Sequence, residues 1–411
     1  MIKNKLQYIA VLLMALVATA CVNDDTALQD LIDADPRIKP ILIDIDMTPL
    51  DEGQETIPTN PADETYNDYW ENSPWTVSVK VTYNDGEATV STSNSRVKYT
   101  IEGAHVTIRS TASRMHIVAS GETADGSLKV YSDYKYRLTL DGLSLANSHG
   151  AAINNQCGKT LYLCLAEESA NALYDSMTYD YVEGEDMKGA LFSEGQVIIS
   201  GKGSLDVYAN CRHGIATDDY LRVRKGVRLY VTTRVGNCLR GNDGVFIDGG
   251  VVGLRANGAG SKGISSHQSV TVGGGRTMIL SHGEPRIETI ADPLTGEAIV
   301  DTVSAAGVKC DSLMAMTAGT LRIKATGEGG KGLKLKSDFT LTGGDLEIVT
   351  IGRKGLASSK GIKVDGITRI EGGSLYSFSK FASAITCDSV YYAPGAITHD
   401  APSKHFLQVK Y

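Results

Sequence analysis

Residues 331–350 read KGLKLKSDFTLTGGDLEIVT: two short runs of alternating apolar and polar positions, parted by Gly-Gly and headed by Lys-Gly. The unit recurs. A small residue followed by an aliphatic one returns in KGALF at 188, HGIAT at 213, NCLRG at 237, KGISS at 262, AGVKC at 306, KGLKL at 331, KGIKV at 360 and SAITC at 383. The steps are 25, 24, 25, 44, 25, 29 and 23 residues. Alternation at period two is the mark of strands with one buried face. The pairs Gly273-Gly274, Gly343-Gly344 and Gly372-Gly373 fall between runs, where tight corners need positive φ. No stretch between residues 76 and 411 sustains a helical period with caps. Such short strands cannot bury an inner face alone, but they can when stacked on copies of themselves. The pattern therefore predicts an all-β chain: a single-stranded parallel β-helix, or β-solenoid, of about 24–25 residues per coil. Helical repeats do not fit the period, and a propeller blade needs more strands than each unit holds.

The same alternation in Val97–Ile108, Leu128–Val130, Leu138–Leu145 and Leu161–Leu165 starts the coils ahead of the clear repeats. Thr76–Val90, with Asp85-Gly86 at its centre, reads as a hairpin that caps the N-terminal end of the stack, where an open edge invites aggregation. Tyr391–Tyr411 departs from the repeat and reads as the other cap. Ile215, Leu333 and Ile362 fall at equivalent inward positions of one aliphatic stack. Inserts near 174–187 and 284–304 interrupt the period; long loops on a regular scaffold are where binding often resides.

Charge divides the chain differently. Residues 1–20 carry two lysines and no acid, residues 22–75 carry fourteen acids against Arg37 and Lys39, and residues 76–411 are nearly balanced. The predicted organisation is a signal peptide over 1–20, an acidic tether over 21–75 and a β-helix domain over 76–411. The tether is extended by self-repulsion, with Pro40–Met47 apolar enough for partial order. Tyr8–Ala20 is too short for a comfortable membrane span and ends in Ala18-Thr19-Ala20-Cys21. That ending resembles a bacterial lipobox, which makes Cys21 the lipidated first residue; an ordinary secretory signal is the alternative. Val22-Asn23-Asp24-Asp25 resembles the acidic tag that sends lipoproteins to the cell surface. The expected location is the outer membrane, lipid-anchored and surface-exposed. Beyond Cys21, six cysteines without any CxxC pair read as mostly buried small apolar residues, with disulfides as the alternative in an exported chain.

Enzyme signatures are poor. HExxH, GxSxG and a Walker loop are absent, and the GxGxxG at Gly258–Gly263 opens no helix, so it reads as a solenoid corner. An acid recurs two residues before the middle strand of several rungs: Asp219, Asp243, Asp311, Asp365 and Asp388, with Gln268 and Ser337 in the same place elsewhere. Stacked carboxylates could chelate calcium, for which Asp219, Asp243 and Asp311 are the candidates; each could equally bond the backbone of its own turn. Tyr208 and Tyr230 point outward in one column with Arg255 and Lys324, and Arg222, Arg224 and Arg228 lie outward nearby. A second outward column contains Arg240, Lys309, Lys334 and Lys363. Tyrosine faces suit sugar rings, and Arg or Lys suits uronate carboxylates.

Gly142–Ile153, Ala170–Asp175, Lys188–Gly203 and His213–Leu221 occur in this order. They resemble the bacterial carbohydrate-binding β-helix proteins, a secreted family similar in fold to pectate lyases. The resemblance spans about Val97 to Thr271, and beyond that the repeat alone carries it. It implies a right-handed parallel β-helix that binds cellulose or pectin-type polyuronate without cleaving it, sometimes holding calcium. Family members often place Asp before the Gly-Ile of a rung; here His213, Asn237 and Lys262 stand there, a departure that bears on calcium. The expected protein is a monomeric surface lipoprotein whose partner is polysaccharide and not nucleic acid, with Tyr208, Tyr230, Arg255 and Lys324 as its carbohydrate-binding residues. The rivals are a polysaccharide lyase on the same fold and an adhesin or spacer without a glycan site.

Overall fold

The computed structural model describes residues 44–291, 296–403 and 405–411. The signal segment and Cys21 lie outside them. One coil consists of His213–Thr217, Tyr220–Val223 and Arg228–Thr233, and the next of Leu239–Gly241, Gly244–Ile247 and Val251–Ala256. Each strand pairs in parallel with its counterpart in the following coil. Repetition builds three parallel sheets, numbered here in chain order. The first has 12 strands among the described residues; the second and third join into one 23-stranded sheet, because Tyr136–Ala146 runs through both. The chain is thus the β-helix that its period predicts.

The register fixes the core. Ile215, Leu239, Ile264, Val308, Leu333 and Ile362 are successive partners on the first sheet, and all are fully buried. The three equivalent positions read from the sequence are therefore one stack. The Lys-Gly motif has a packing reason. A Cβ on Gly263, Gly307 or Gly332 would meet the Cγ2 of Ile279, Ile323 or Ile348 at 2.3 Å, so the third sheet's isoleucine fills the space that glycine leaves. Two of the three Gly-Gly pairs have a conformational one: Gly344 and Gly373 turn the corner from second to third sheet at φ +83° and +75°, whereas after Gly273-Gly274 the positive φ falls on Gly275 at +69°.

Val77–Asn84 and Glu87–Ser91 form the expected N-terminal hairpin, with positive φ at both Asp85 and Gly86. A second antiparallel hairpin, Val97–Glu102 with His105–Ser110, occupies a stretch whose alternation reads as coil; only its second strand continues into the stack. At the other end Ser389–Tyr392 is still a parallel rung. Ile397–Ser403 and Phe406–Lys410 close the stack by antiparallel pairing onto Ser374–Ser379. Both inserts leave the corner between third and first sheets. The earlier one crosses onto the first sheet, where Glu185 meets Lys129 and Asn154, each at 3.1 Å. The later one is a hairpin of Arg286–Ala291 with Ala298–Val303. The six described cysteines are unpaired, and four of them are buried.

Candidate functional site

The outward side of the third sheet carries an aromatic step. Tyr174 ends the strand Ala170–Tyr174 and is the register partner of Tyr208 on the next coil. Their rings stack at 4.8 Å between centroids and 4° between planes. Tyr208 then meets Tyr230 edge-on, at 6.2 Å and 67°. Tyr174 is exposed, and Tyr208 and Tyr230 are half-buried. Burial and the nearby Asp206 push the Tyr208 phenol up to about 12, so it remains a neutral hydrogen-bond donor. The arrangement offers flat, partly desolvated rings with polar edges, suited to stacking against a sugar face.

The predicted column is corrected in two ways. Tyr208, Thr232, Arg255, Leu280 and Lys324 are successive partners, so Tyr208, Arg255 and Lys324 do share a column. Tyr230 pairs with Asp206 and Gly253 and belongs to the neighbouring outward column. The reason is that Tyr230 sits two places earlier on its strand than Tyr208 does. Lys324, expected outward and available, is 6% exposed, between its register partners Leu280 and Val349. Arg255 is half-buried, with Nη1 3.5 Å from His282 Nε2. Tyr174 was not in the predicted set. Its Leu-Tyr ending matches the Val-Tyr of Tyr208, a signal obscured because the insert begins directly after it.

The outward arginines are bound by the acidic segment. Composition predicts a tether, and the backbone is extended; from residue 44 it nevertheless lies against the solenoid. Asp46 meets Arg276 at 3.2 Å, and Arg276 donates to Thr48 O at 2.6 Å. Glu52 Oε2 accepts from the backbone N–H of Gly226 at 2.9 Å and of Gly250 at 2.8 Å. Arg224, 2% exposed, pairs with Glu55 at 2.7 Å and Glu71 at 3.0 Å. Arg222 pairs with Asp68 at 3.1 Å and Asp248 at 2.5 Å. Trp70 lies over Arg137 at 3.5 Å, and Trp75 meets Tyr162 edge-on at 5.6 Å. The segment thus covers much of the second sheet and reaches the third beside Tyr230, where Ile45 and Met47 pack on Gly253. Two of the three arginines expected outward are consumed inside the molecule.

The aspartates do not form one column. Asp219 and Asp243 are aligned with Gln268, whereas Asp311 follows Cys310 directly and stands one place earlier in a turn of equal length, in the column of His267. Asp219 accepts from Tyr220 N at 2.8 Å and from Gln196 Nε2 at 2.6 Å. Asp311 pairs with Lys309 at 2.5 Å and Lys336 at 3.1 Å and is hydrogen-bonded to His267 at 3.0 Å; despite burial, these partners bring its carboxyl down to about 2. Among the described residues no group of three or more His, Cys, Asp or Glu could hold a metal ion. The donor set therefore does not fit calcium at Asp219, Asp243 and Asp311.

A curated protein of Acetivibrio thermocellus described as a carbohydrate-binding domain-containing protein is 30% identical over 111 residues, 26% of this chain and 39% of that protein. The match thus spans well under half of that relative's length. A solved structure of a polysaccharide lyase-like protein from C. thermocellum, a gadolinium derivative, is 20% identical, with a TM-score of 0.43 over 78% of this chain and 98% of the other. A family model described as carbohydrate-binding domain-containing protein matches residues 102–400, well over half of the chain and nearly all of the solenoid. The chain belongs to that family of carbohydrate-binding domain-containing proteins.

Proposed function

We propose that the chain is a lipid-anchored outer-membrane protein, exposed at the cell surface, which binds cellulose or pectin-type polyuronate as a monomer and without cleaving it. The observation that carries this reading is the step formed by Tyr174, Tyr208 and Tyr230 on the third sheet. A polysaccharide laid along the stack meets these rings in succession. Of the two polymers, the neutral one suits this face better. Asp206 stands in the Tyr230 column, and Asp46 holds Arg276 at its border. Binding is preferred over lyase chemistry because Arg222 and Arg224, cations that could neutralise a uronate, are held by the protein's own carboxylates.

Each ring lost weakens binding by about 1 kcal/mol, by analogy with aromatic pairs. Tyr208→Ala with Tyr230→Ala is therefore expected to reduce affinity for cello-oligosaccharide about thirtyfold. Titration calorimetry on the full-length protein measures this. Undiminished affinity in the folded variant moves the site elsewhere. Absence of any glycan binding by the parent favours the spacer, and ultraviolet absorbance from unsaturated products favours the lyase. Anchoring rests on the small residues before Cys21; Cys21→Ala is expected to leave the membrane fraction, and its retention there refutes the lipid.

A further inference from the structure

The first sheet carries a feature that the tyrosine face does not use. Lys309, Lys334 and Lys363 follow one another in its outward column on three successive coils, each the register partner of the last. Lys331 and Lys360 are partners in the same manner at the heads of their strands. Coils stand about 4.8 Å apart. These are like charges held side by side, and each such pair repels by roughly 1 kcal/mol even in bulk water.

Acids relieve only part of this. Asp311 lies 2.5 Å from Lys309, and Asp365 lies 3.0 Å from Lys363. Among the described residues no carboxylate stands within ion-pair distance of Lys331, Lys334 or Lys360. Lys331 is 5% exposed, its ammonium held by Ser304 Oγ at 2.7 Å and Gly329 O at 3.1 Å. Burial, and then Lys334, Lys363 and Lys360, bring it down to about 7. Burial also lowers Lys334, as do Lys363, Lys309 and Lys336, while Asp301 of the hairpin insert opposes them. Uncompensated, desolvated cations destabilise a fold. This protein neutralises Arg222, Arg224 and Arg276 from its own acidic segment, yet leaves this ladder short of counter-charge. Unrelieved charge of this kind gathers where an opposite charge is received.

The geometry points to a second binding site on the outward face of the first sheet. There Lys309, Lys334 and Lys363, backed by Lys331 and Lys360, take a linear polysaccharide carrying an anionic group, carboxylate or sulfate ester, on successive sugars. The site rests on the reading of the chain as a glycan binder, but not on the tyrosine face, which lies on a different sheet. Lysines repeated on successive coils meet a polymer lying along the stack as a row of point charges. Affinity then comes from many modest pairs and falls with salt.

The test is calorimetric titration of the full-length protein with polygalacturonate, with dextran sulfate and with a neutral cello-oligosaccharide. Lys334→Gln with Lys363→Gln is expected to weaken binding of the acidic polymer about tenfold, at a modest energy per lost pair. Binding of polygalacturonate alone, of dextran sulfate alone or of both names the anionic group. Above neutral pH, titration in two buffers of different ionisation enthalpy is expected to reveal net proton uptake, as the polymer recharges the buried lysines. Tyr208→Ala with Tyr230→Ala is expected to keep the acidic polymer while losing the neutral one, so failure at one face is distinguishable from failure at the other. The lysine variant should melt no lower than the parent, because it removes repulsion. A lower melting temperature makes the lysines structural and overturns the site. Undiminished affinity for the acidic polymers in that variant overturns it too, as does duplex DNA binding more tightly than either of them.

Discussion

Leu333 and Lys334 are neighbours in the chain and opposites in consequence. Leu333 is fully buried between Val308 and Ile362, so Leu333→Ala is expected to cost about 2–5 kcal/mol. Lys334→Ala should cost no more than about 0.5 kcal/mol. Equal losses in denaturant unfolding would mean that the strand phase is reversed. A second expectation concerns Lys331 and Lys262, each brought down to about 7, first by burial and then by neighbouring cations. The unfolded value is about 10.4. Between the two the unfolded chain binds more protons than the folded one, so stability rises with pH across that interval, and the penalty is fully present below about 7. Lys331→Met should flatten the rise in melting temperature between these values, as followed by scanning calorimetry; an unaltered slope would place its ammonium in water. Alternation made the side of the sheet legible for Tyr208, Arg255 and Lys324. It could not say what stands on either side of Lys324, because Leu280 and Val349 come from other coils, at separations that only the register defines.

Local turn signals make one hairpin legible and leave another hidden: Val97–Glu102 pairs with His105–Ser110 across a two-residue turn, yet its alternation is that of a coil. Asp85-Gly86 announces its hairpin, since φ is positive at both residues. Asp311 sits one place earlier in its turn than Asp219 and Asp243 do in theirs, which shows only when Cys310 and Met314 are set against their partners Ser266 and Val270. The largest miss is the acidic strap over residues 44–75. Its composition is that of a solvated tether, and its contacts lie far off in the chain: Glu55 meets Arg224 and Asp46 meets Arg276. Charge segregation was the available signal, with fourteen acids ahead of a body whose outward positions carry arginine. Arg224 is the central clasp, so Arg224→Ala should leave Glu55 and Glu71 without their cation and cost about 3 kcal/mol. Faster amide exchange over residues 44–75, with the solenoid strands protected as before, is the expected signature. Unchanged protection of the strap would show that Trp70 and Trp75 hold it alone.

At the scale of the molecule, the period alone was enough for the fold. One rung repeated at a nearly constant step leaves few other ways to bury its inner face. Function was less legible, because a solenoid presents several outward columns that local sequence does not rank. The acidic strap pairs with arginines of the second sheet, while Lys309, Lys334 and Lys363 line up on the first, and neither arrangement is ranked by local sequence. The path of that strap has a mechanical consequence. Residues 44–48 sit against Arg276 and Met278, midway along the stack, whereas Val77 enters the body at its N-terminal cap. If the chain is held at Cys21, as proposed, tension reaches the solenoid at its waist. It peels Asp46, Glu52, Glu55 and Asp68 from their partners one after another before the first hairpin is strained. The thirty-two residues so released extend to roughly 110 Å. If the proposed binding to a polysaccharide fibre holds, that slack would let the domain yield and re-zip under drag while its core stays folded.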